Sequence, residues 1–450
     1  MSIYNSQVKT HIIDPVYNRS NFRAEYRLEP NTIFLSNMRL IGLGAIGTGG
    51  DGSYNGLVGS LGVIKQISLY DDNQLLDQLL QAPTFLGFKK YNTPNEVNMD
   101  LNADLIKNRS GNIINGNNAG ANQVGRKVSE FLRPNHNGEL GQVENLTSKG
   151  YLPLKDVFPL LRNLVSMDTS VFKNLKVIVE YNEDVDEYAK ETNNTPYNTI
   201  EAQLVADEIV GDVGKSKLGG FKGVSYQSIE HDRVVIPKMV IDSDYGDGSV
   251  APLDGKQQQT LHINGFNNKT LGRMLIVKNP TLLANYKTGN NNLRQGKLMS
   301  VANNKEELQC RVNGSSILTG SGLSNINQRL GMLHDVWGKC SSYPFCNGTA
   351  YTMINATNRN TQILGGHNDI GVLDYYGLNI NDKIEDLQID FSRTAVYIYS
   401  QNPVNHPARK LVDDALSNGS VYNQAINLNI YAEVYKTITP QGGGYVVQYD

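Results

Sequence analysis

Residues able to do chemistry are dispersed along this sequence, and each apparent motif lacks a part its chemistry requires. Gly42-Leu43-Gly44-Ala45-Ile46-Gly47 has the spacing of a dinucleotide loop. That loop works because a helix begins inside it and aims its first N–H groups at a pyrophosphate. Here the chain continues Thr48-Gly49-Gly50-Asp51-Gly52-Ser53, a run of poor helix formers, so a glycine-rich connection between strands is expected instead. Gly214-Lys215-Ser216 matches the end of a phosphate loop, but Ile209 stands where the first glycine belongs. Asp242-Ser243-Asp244-Tyr245-Gly246-Asp247 matches a calcium loop at two positions. It puts Gly246 at a ligand position and Leu253 where a bidentate Glu is needed, so an acidic surface turn is expected.

The histidines (His11, His136, His231, His262, His334, His367, His406) show no zinc-binding spacing, and no Gly-x-Ser-x-Gly nucleophile elbow occurs. The neighbouring carboxylates Asp207 and Glu208 are of the type that serves acid–base hydrolysis, but nothing distinguishes them among 44 acidic residues. Cys310, Cys340 and Cys346 are odd in number and form no Cys-x-x-Cys pair, which excludes a disulfide scaffold. Sequons such as Asn145-Leu146-Thr147 and Asn355-Ala356-Thr357 are expected by chance in an Asn-rich chain. No catalytic, cofactor-binding or metal residue is assigned.

The elements that would position a site are mainly strands. Ile426, Leu428, Ile430, Ala432, Val434 and Ile438 alternate with polar residues, which gives one long strand with a core face and a wet face. Leu175 to Tyr181 and Leu387 to Phe391, running on to Ala395–Tyr399, repeat the alternation. Shorter candidates are 61–70, 203–210, 233–242, 271–277 and 445–449. Helical spacing is confined to 75–80, 154–165, 323–337 and 408–416. Gly- and Asn-rich connections, such as 111–125 and 289–295, separate them. Many strands with few short helices indicate an all-β sandwich or barrel.

At 450 residues the chain exceeds what one core serves, and two domains are expected. The Gly/Lys stretch 211–220 lacks hydrophobic periodicity and is the seam, giving domains 1–220 and 221–450. A net charge of −3 excludes a protein whose main task is neutralising nucleic-acid phosphate. No signal pattern and no apolar run of membrane-spanning length is present, so a soluble protein made in a reducing compartment is expected.

Three stretches taken together resemble a known family. They are Tyr54-Asn55 followed by Gly62 to Asp77, then Tyr151 to Leu161 with Leu175 to Tyr181, then Leu204 to Val210. In this order and spacing they are similar to the double jelly-roll major capsid proteins of polinton-like viruses and virophages. They are more distantly similar to those of nucleocytoplasmic large DNA viruses. The likeness is clearest over residues 35–240.

It implies two tandem eight-stranded jelly rolls. It also implies a homotrimeric, pseudo-hexagonal capsomer that tiles the icosahedral shell of a double-stranded DNA virus, with the protein located in the virion. Neighbouring capsomers and penton and minor capsid proteins would be its partners. No enzymatic activity, no cofactor and no sequence-specific nucleic-acid binding would be expected. The family also has a short helix between strands of the first jelly roll, matching Leu152-Pro153-Leu154 to Leu164, where Pro159 would kink or end it. The competing readings are a minor capsid protein of the same fold, and a carbohydrate-binding β-sandwich or glycoside hydrolase, drawn from 24 Tyr and spare carboxylates but set against a single Trp. A Rossmann oxidoreductase is a distant third.

Overall fold

The structure is a computed structural model that describes residues 7–16, 22–43, 46–47, 53–54, 59–92, 150–182, 189–190, 197–199, 202–239, 256–281, 306–320, 322–324, 326–337, 375–394, 397–399, 409–411 and 425–450. Its main strands in the first half are β1 (Val8–Ile13), β2 (Arg23–Arg27), β3 (Ile33–Leu35) and β4 (Arg39–Leu43). Two-residue pieces follow, β5 (Ile46–Gly47) and β6 (Ser53–Tyr54), then β7 (Ile64–Asp71) and β8 (Gln74–Leu79). Beyond helix α1 (Ala82–Asn92) come β9 (Gly150–Pro153), helix α2 (Pro159–Asn163), β10 (Ser166–Asp168) and β11 (Leu175–Tyr181). Short β12 (Ala189–Lys190) and β13 (Tyr197–Thr199) precede β14 (Gln203–Ile209) and helix α3 (Asp212–Leu218).

The second half runs through β15 (Val224–Ile236), β16 (Lys256–His262), β17 (Thr270–Pro280), β18 (Glu307–Val312) and β19 (Ser315–Ser316). Helix α4 (Ile326–Trp337) leads to β20 (Tyr375–Lys383), β21 (Leu387–Thr394), β22 (Tyr397–Tyr399) and β23 (Arg409–Leu411). The chain ends on β24 (Ile426–Gln441) and β25 (Gly444–Tyr449).

The pairing order identifies the architecture. When β3/β4 and β9/β10 are each taken as one interrupted strand, the first half has eight strand positions. One sheet holds positions 1-8-3-6: β1 on β14, β14 on β3 and β4, and these on β10 and β9. The other holds positions 2-7-4-5, as β2-β11-β7-β8. The second half repeats both orders, as β15-β24-β17-β20 and β16-β21-β18-β19, with β25 added on β24. Two antiparallel sheets in this crossed order form a jelly roll, and the chain contains two.

Each strand crosses its sandwich, so connections after odd positions leave from one end and those after even positions from the other. Apart from 14–22, which has nine residues, the first set is long in both halves: 44–63, 80–149 and 182–202, then 237–255, 281–306, 317–374 and 395–425. The second set is short: 28–32, 72–73 and 169–174, then 263–269, 313–314 and 384–386. The glycine- and Asn-rich stretches 111–125 and 289–295 belong to the long set and lie outside the described residues.

By spatial proximity the chain forms two compact units. Unit 1 is Met1–His231, Lys269–Gly272 and Tyr431–Asp450, and unit 2 is Asp232–Asn268 and Arg273–Ile430. The strands β15, β17 and β24 change unit along their length. In unit 1 the core includes Tyr26, Phe34, Leu40, Ile67, Leu69, Val177 and Leu204; in unit 2 it includes Met274, Ile276, Leu308, Tyr376, Ile389 and Phe391.

Several expectations are corrected. Residues 75–79 of the stretch 75–80 lie in strand β8, not helix, because after the Asp72 turn (φ 52°) they pair along β7, and pairing outweighs helical propensity. The stretch 154–165 is not one helix. A 3₁₀ turn at Leu154–Asp156 is separated from α2 by extended Phe158 (ψ 99°), as the residue before a proline prefers, and Pro159 opens α2. Arg409–Leu411, within 408–416, pairs as strand with β22. The seam 211–220 contains α3, which ends where Gly220 takes φ 80° and donates its N–H to Asp168 Oδ2 at 2.6 Å. The wet face of β24 is not wet: Asn429, Tyr431 and Glu433 are buried. In unit 1 the Tyr431 ring lies against Phe85 and His231, and its hydroxyl donates to the Gln81 carbonyl at 2.9 Å.

Candidate functional site

The sequence candidates are held by structure rather than gathered into a site. Gly42 and Gly47 lie in β4 and β5, and β5 pairs with β13, so no helix begins within that motif among the described residues. Lys215 and Ser216 are exposed on α3, and Asp242–Asp247 with Leu253 lie outside the described residues.

Asp207 and Glu208 are adjacent on β14 and so point to opposite faces. Asp207 accepts from Thr10 Oγ1 at 2.8 Å, Asn37 Nδ2 at 2.9 Å and Arg39 at 3.4 Å. Burial alone would raise its pKa, but the Thr10 and Asn37 hydrogen bonds and the Arg39 charge hold it below the usual carboxylate value. Glu208 pairs with His11 Nε2 at 2.7 Å. Both carboxylates tie β1 to its neighbours.

His262 stands 3.6 Å from Asp386. His136, His367, His406, Cys340 and Cys346 lie outside the described residues, and of His334 only the backbone is described. The Cys310 thiol is buried and pushed up to about 12, chiefly by desolvation and then by Asp390, which keeps it an unreactive thiol. Among the described residues no three His, Cys, Asp or Glu side chains come together as metal ligands.

Two buried polar clusters were not anticipated. In unit 1, Asp77 is fully buried and accepts from the N–H of Leu160 at 3.0 Å, from Gln78 N at 3.0 Å and from Ser228 Oγ at 2.8 Å. Desolvation raises it to about 6 against the lowering effect of these donors and of Lys436. Leu160 is at the first turn of α2, so Asp77 fixes that helix to β8 and β15. The Lys436 ammonium donates to Ser228 Oγ at 3.3 Å and pairs with Glu230 at 3.0 Å, while Lys269 pairs with Glu230 at 2.6 Å. Burial opposes ionisation of Glu230, but the two lysines hold its pKa below normal. The ring of Tyr449 covers both ammonium groups, at 4.9 and 5.3 Å.

In unit 2, Glu306 is 1 % exposed and pairs with Lys278, which is wholly buried. Its Oε2 also accepts from the Tyr376 hydroxyl at 3.0 Å and lies 3.7 Å from Arg329 Nη1, and Arg329 donates to the Glu306 carbonyl. The Tyr376 ring stacks beneath Arg329 at 5.0 Å. The single sequence signal of this cluster is Lys278 itself, a lysine ending the apolar run Met274–Val277. Asp77 and Glu306 carry none, because their burial depends on strands distant in sequence. The unit 2 cluster is sealed from solvent, whereas the unit 1 cluster reaches the surface at Lys269 and Tyr449; the chemistry both perform is to hold strands and helices together.

The outer surface carries the remaining feature. β1 is the edge of its sheet and leaves Val8 (45 %) and Ile12 (62 %) exposed on one face.

No protein-family model and no curated protein matches the sequence. Solved structures do match, over the whole chain. The Sputnik virophage cryo-EM structure aligns with a TM-score of 0.55 at 10% identity, covering 100% of this chain and 90% of that one. The mavirus major capsid protein aligns at 0.51 and 9%, covering 100% and 93%. VP54 of PBCV-1 aligns at 0.52 and 9%, covering 100% and 99%. At such identities the likeness is one of fold, and it agrees with the pairing orders derived above: the chain is an all-β double jelly roll, folded like these viral proteins from end to end.

Proposed function

We propose that this chain is the major capsid protein of an icosahedral double-stranded DNA virus, acting as a structural protein without enzymatic activity. The observation that carries the reading is the repeated 1-8-3-6 and 2-7-4-5 strand order within one chain. With the jelly rolls divided near residue 220, three copies present six similar sandwiches around one axis. That capsomer is pseudo-hexagonal and can tile a closed shell alongside penton and minor capsid proteins. Segregation of the long connections to one end of each jelly roll supports the reading, since a shell subunit meets the outside and the inside at opposite ends. The near-neutral charge of −3 permits close packing of copies without strong self-repulsion.

The carbohydrate-binding alternative is weakened by Trp337, the single Trp. Its Nε1 donates to the Met274 carbonyl at 3.2 Å and its ring lies under the Arg273 guanidinium at 4.7 Å, so it does not offer a bare face to a sugar. The test is the solution mass of the purified chain together with negative-stain imaging. At 49.7 kDa per copy, a trimer of about 150 kDa with hexagonal outlines is expected. A monomer that persists at high concentration would overturn the proposal.

A further inference from the structure

The free edge of β1 has a property that follows from its register. Val8 to Ile13 pair with Ile209 to Leu204 without a break, and Val210 donates its N–H to the Gln7 carbonyl at 3.0 Å. In an antiparallel ladder hydrogen-bonded pairs alternate with non-bonded ones. Lys9, His11 and Ile13 therefore bond to β14, while the N–H and C=O groups of Val8, Thr10 and Ile12 point away from it. Among the described residues β1 has no second neighbour. It carries none of the features that usually blunt an edge apart from Lys9: no proline and no bulge. The side chains of Val8 and Ile12 stand exposed on the same face, with Thr10 between them.

This edge is complementary to itself. If two copies of β1 lie antiparallel about Thr10, Val8 faces Ile12 of the partner, Thr10 faces Thr10, and Ile12 faces Val8. Each of these pairs is one whose backbone groups point outward, so every outward N–H meets a carbonyl. The same register covers Val8 with Ile12 on both sides of the axis, and such cross-strand apolar pairs stabilise a sheet. A two-fold contact of this kind is closed and needs no other surface.

We propose that β1 is a two-fold assembly edge, at which β1 of a second copy of this chain adds to the sheet centred on Thr10. The proposal deepens the self-assembly reading above and rests on it, assigning β1 to contacts between capsomers.

The test uses the full-length chain, wild type and variants, under mild oxidation. Opposed residues of a bonded antiparallel pair have Cα atoms about 5.5 Å apart, within disulfide reach. Thr10→Cys is therefore expected to cross-link two copies, while Lys9→Cys and wild type do not, since Lys9 faces His11 in this register. Ile12→Pro removes an outward N–H and leaves the β14 bonds untouched. It is expected to fold and trimerise normally, while association between trimers weakens about tenfold or more, two hydrogen bonds being lost per contact.

Trimers or shells that form while Thr10→Cys stays uncross-linked and Ile12→Pro associates normally would overturn this inference and leave the capsid reading standing. Cross-linked dimers of a chain that never trimerises would support the β1 contact and overturn the capsid reading. A chain monomeric throughout would overturn both.

Discussion

The hydroxyl of Tyr445 donates to Asp71 Oδ2 at 2.8 Å, joining two residues 374 apart in sequence. Asp71 begins the tight turn between β7 and β8 and also accepts from Asn174 N at 2.7 Å. The Tyr445 ring lies 4.8 Å from Phe172. The last strand of the chain thus fastens onto the turn end of unit 1. Burial and the Asp71 charge raise the Tyr445 pKa strongly, so the hydroxyl stays a donor. Tyr445→Phe should lower stability by about 1.5–3 kcal/mol, as loss of one hydrogen bond to a charged acceptor does. Thermal unfolding of wild type, Tyr445→Phe, Asp71→Asn and the double variant would measure the coupling.

Asp77 gives unit 1 a pH dependence of definite sign. Its folded pKa, about 6, lies above the ordinary carboxylate value of 3.8, so between these values the folded state holds more protons than the unfolded one. The stability it contributes is greatest below about pH 4 and is lost as pH rises through 6, an effect of about 3 kcal/mol. Asp77→Asn should flatten the stability profile across pH 4–6 relative to wild type. An unchanged slope would show that Asp77 does not titrate there.

Glu230 acts in the opposite direction. Its pKa is held below the ordinary glutamate value of 4.5 by Lys436 and Lys269, so its contribution is present above that value and is lost as pH falls through the folded pKa. Glu230→Gln should therefore cost stability at neutral pH and cost little in strong acid. Denaturant midpoints of wild type and variant, measured at the two pH values, would check it.

In unit 2, Glu306 is the carboxylate shared by buried Lys278 and Arg329. Removing one partner of a buried pair leaves uncompensated charge and costs about 3–5 kcal/mol. Glu306→Ala should lower the unfolding free energy by that amount, read from denaturant titrations, and Glu306→Gln by less.

A fifth relationship can be followed by fluorescence, since Trp337 is the only Trp. A Cβ at Gly377 would stand 2.9 Å from Leu333 Cα and 3.2 Å from Trp337 Cδ1, so β20 accepts α4 only because residue 377 has no side chain. Gly377→Ala should push α4 outward at a cost of about 1–3 kcal/mol. The emission of Trp337 should shift to the red. An unshifted spectrum with native stability would refute this packing account.

Strands whose core face is uninterrupted were legible from the residues themselves. Ile426 to Ile438 and Leu175 to Tyr181 alternate as a sheet requires, and both are strands. Leu75 to Leu80 was misread because leucines in a short run suit either helix or strand, and only pairing with β7 decides. The polar side of β24 misled for a related reason: Tyr431 and Glu433 look solvent-facing until a covering layer is known. Asp77 and Glu306 stayed hidden since a carboxylate shows no sign of burial in its own neighbourhood. The repeated jelly-roll order itself lies in pairings between distant strands, and the sequence carried it only through the resemblance.

The placement of residues 431–450 in unit 1 has a consequence for synthesis. A ribosome adding roughly 5–20 residues per second releases the material for β1 to β14 early, yet Tyr431, Lys436, Tyr445 and Tyr449 arrive last. Until they emerge, Asp71 and Glu230 lack their distant partners. A chain terminated before residue 431 therefore lacks the part of β24 and the β25 strand that pack in unit 1, and leaves Asp71 without Tyr445 and Glu230 without Lys436.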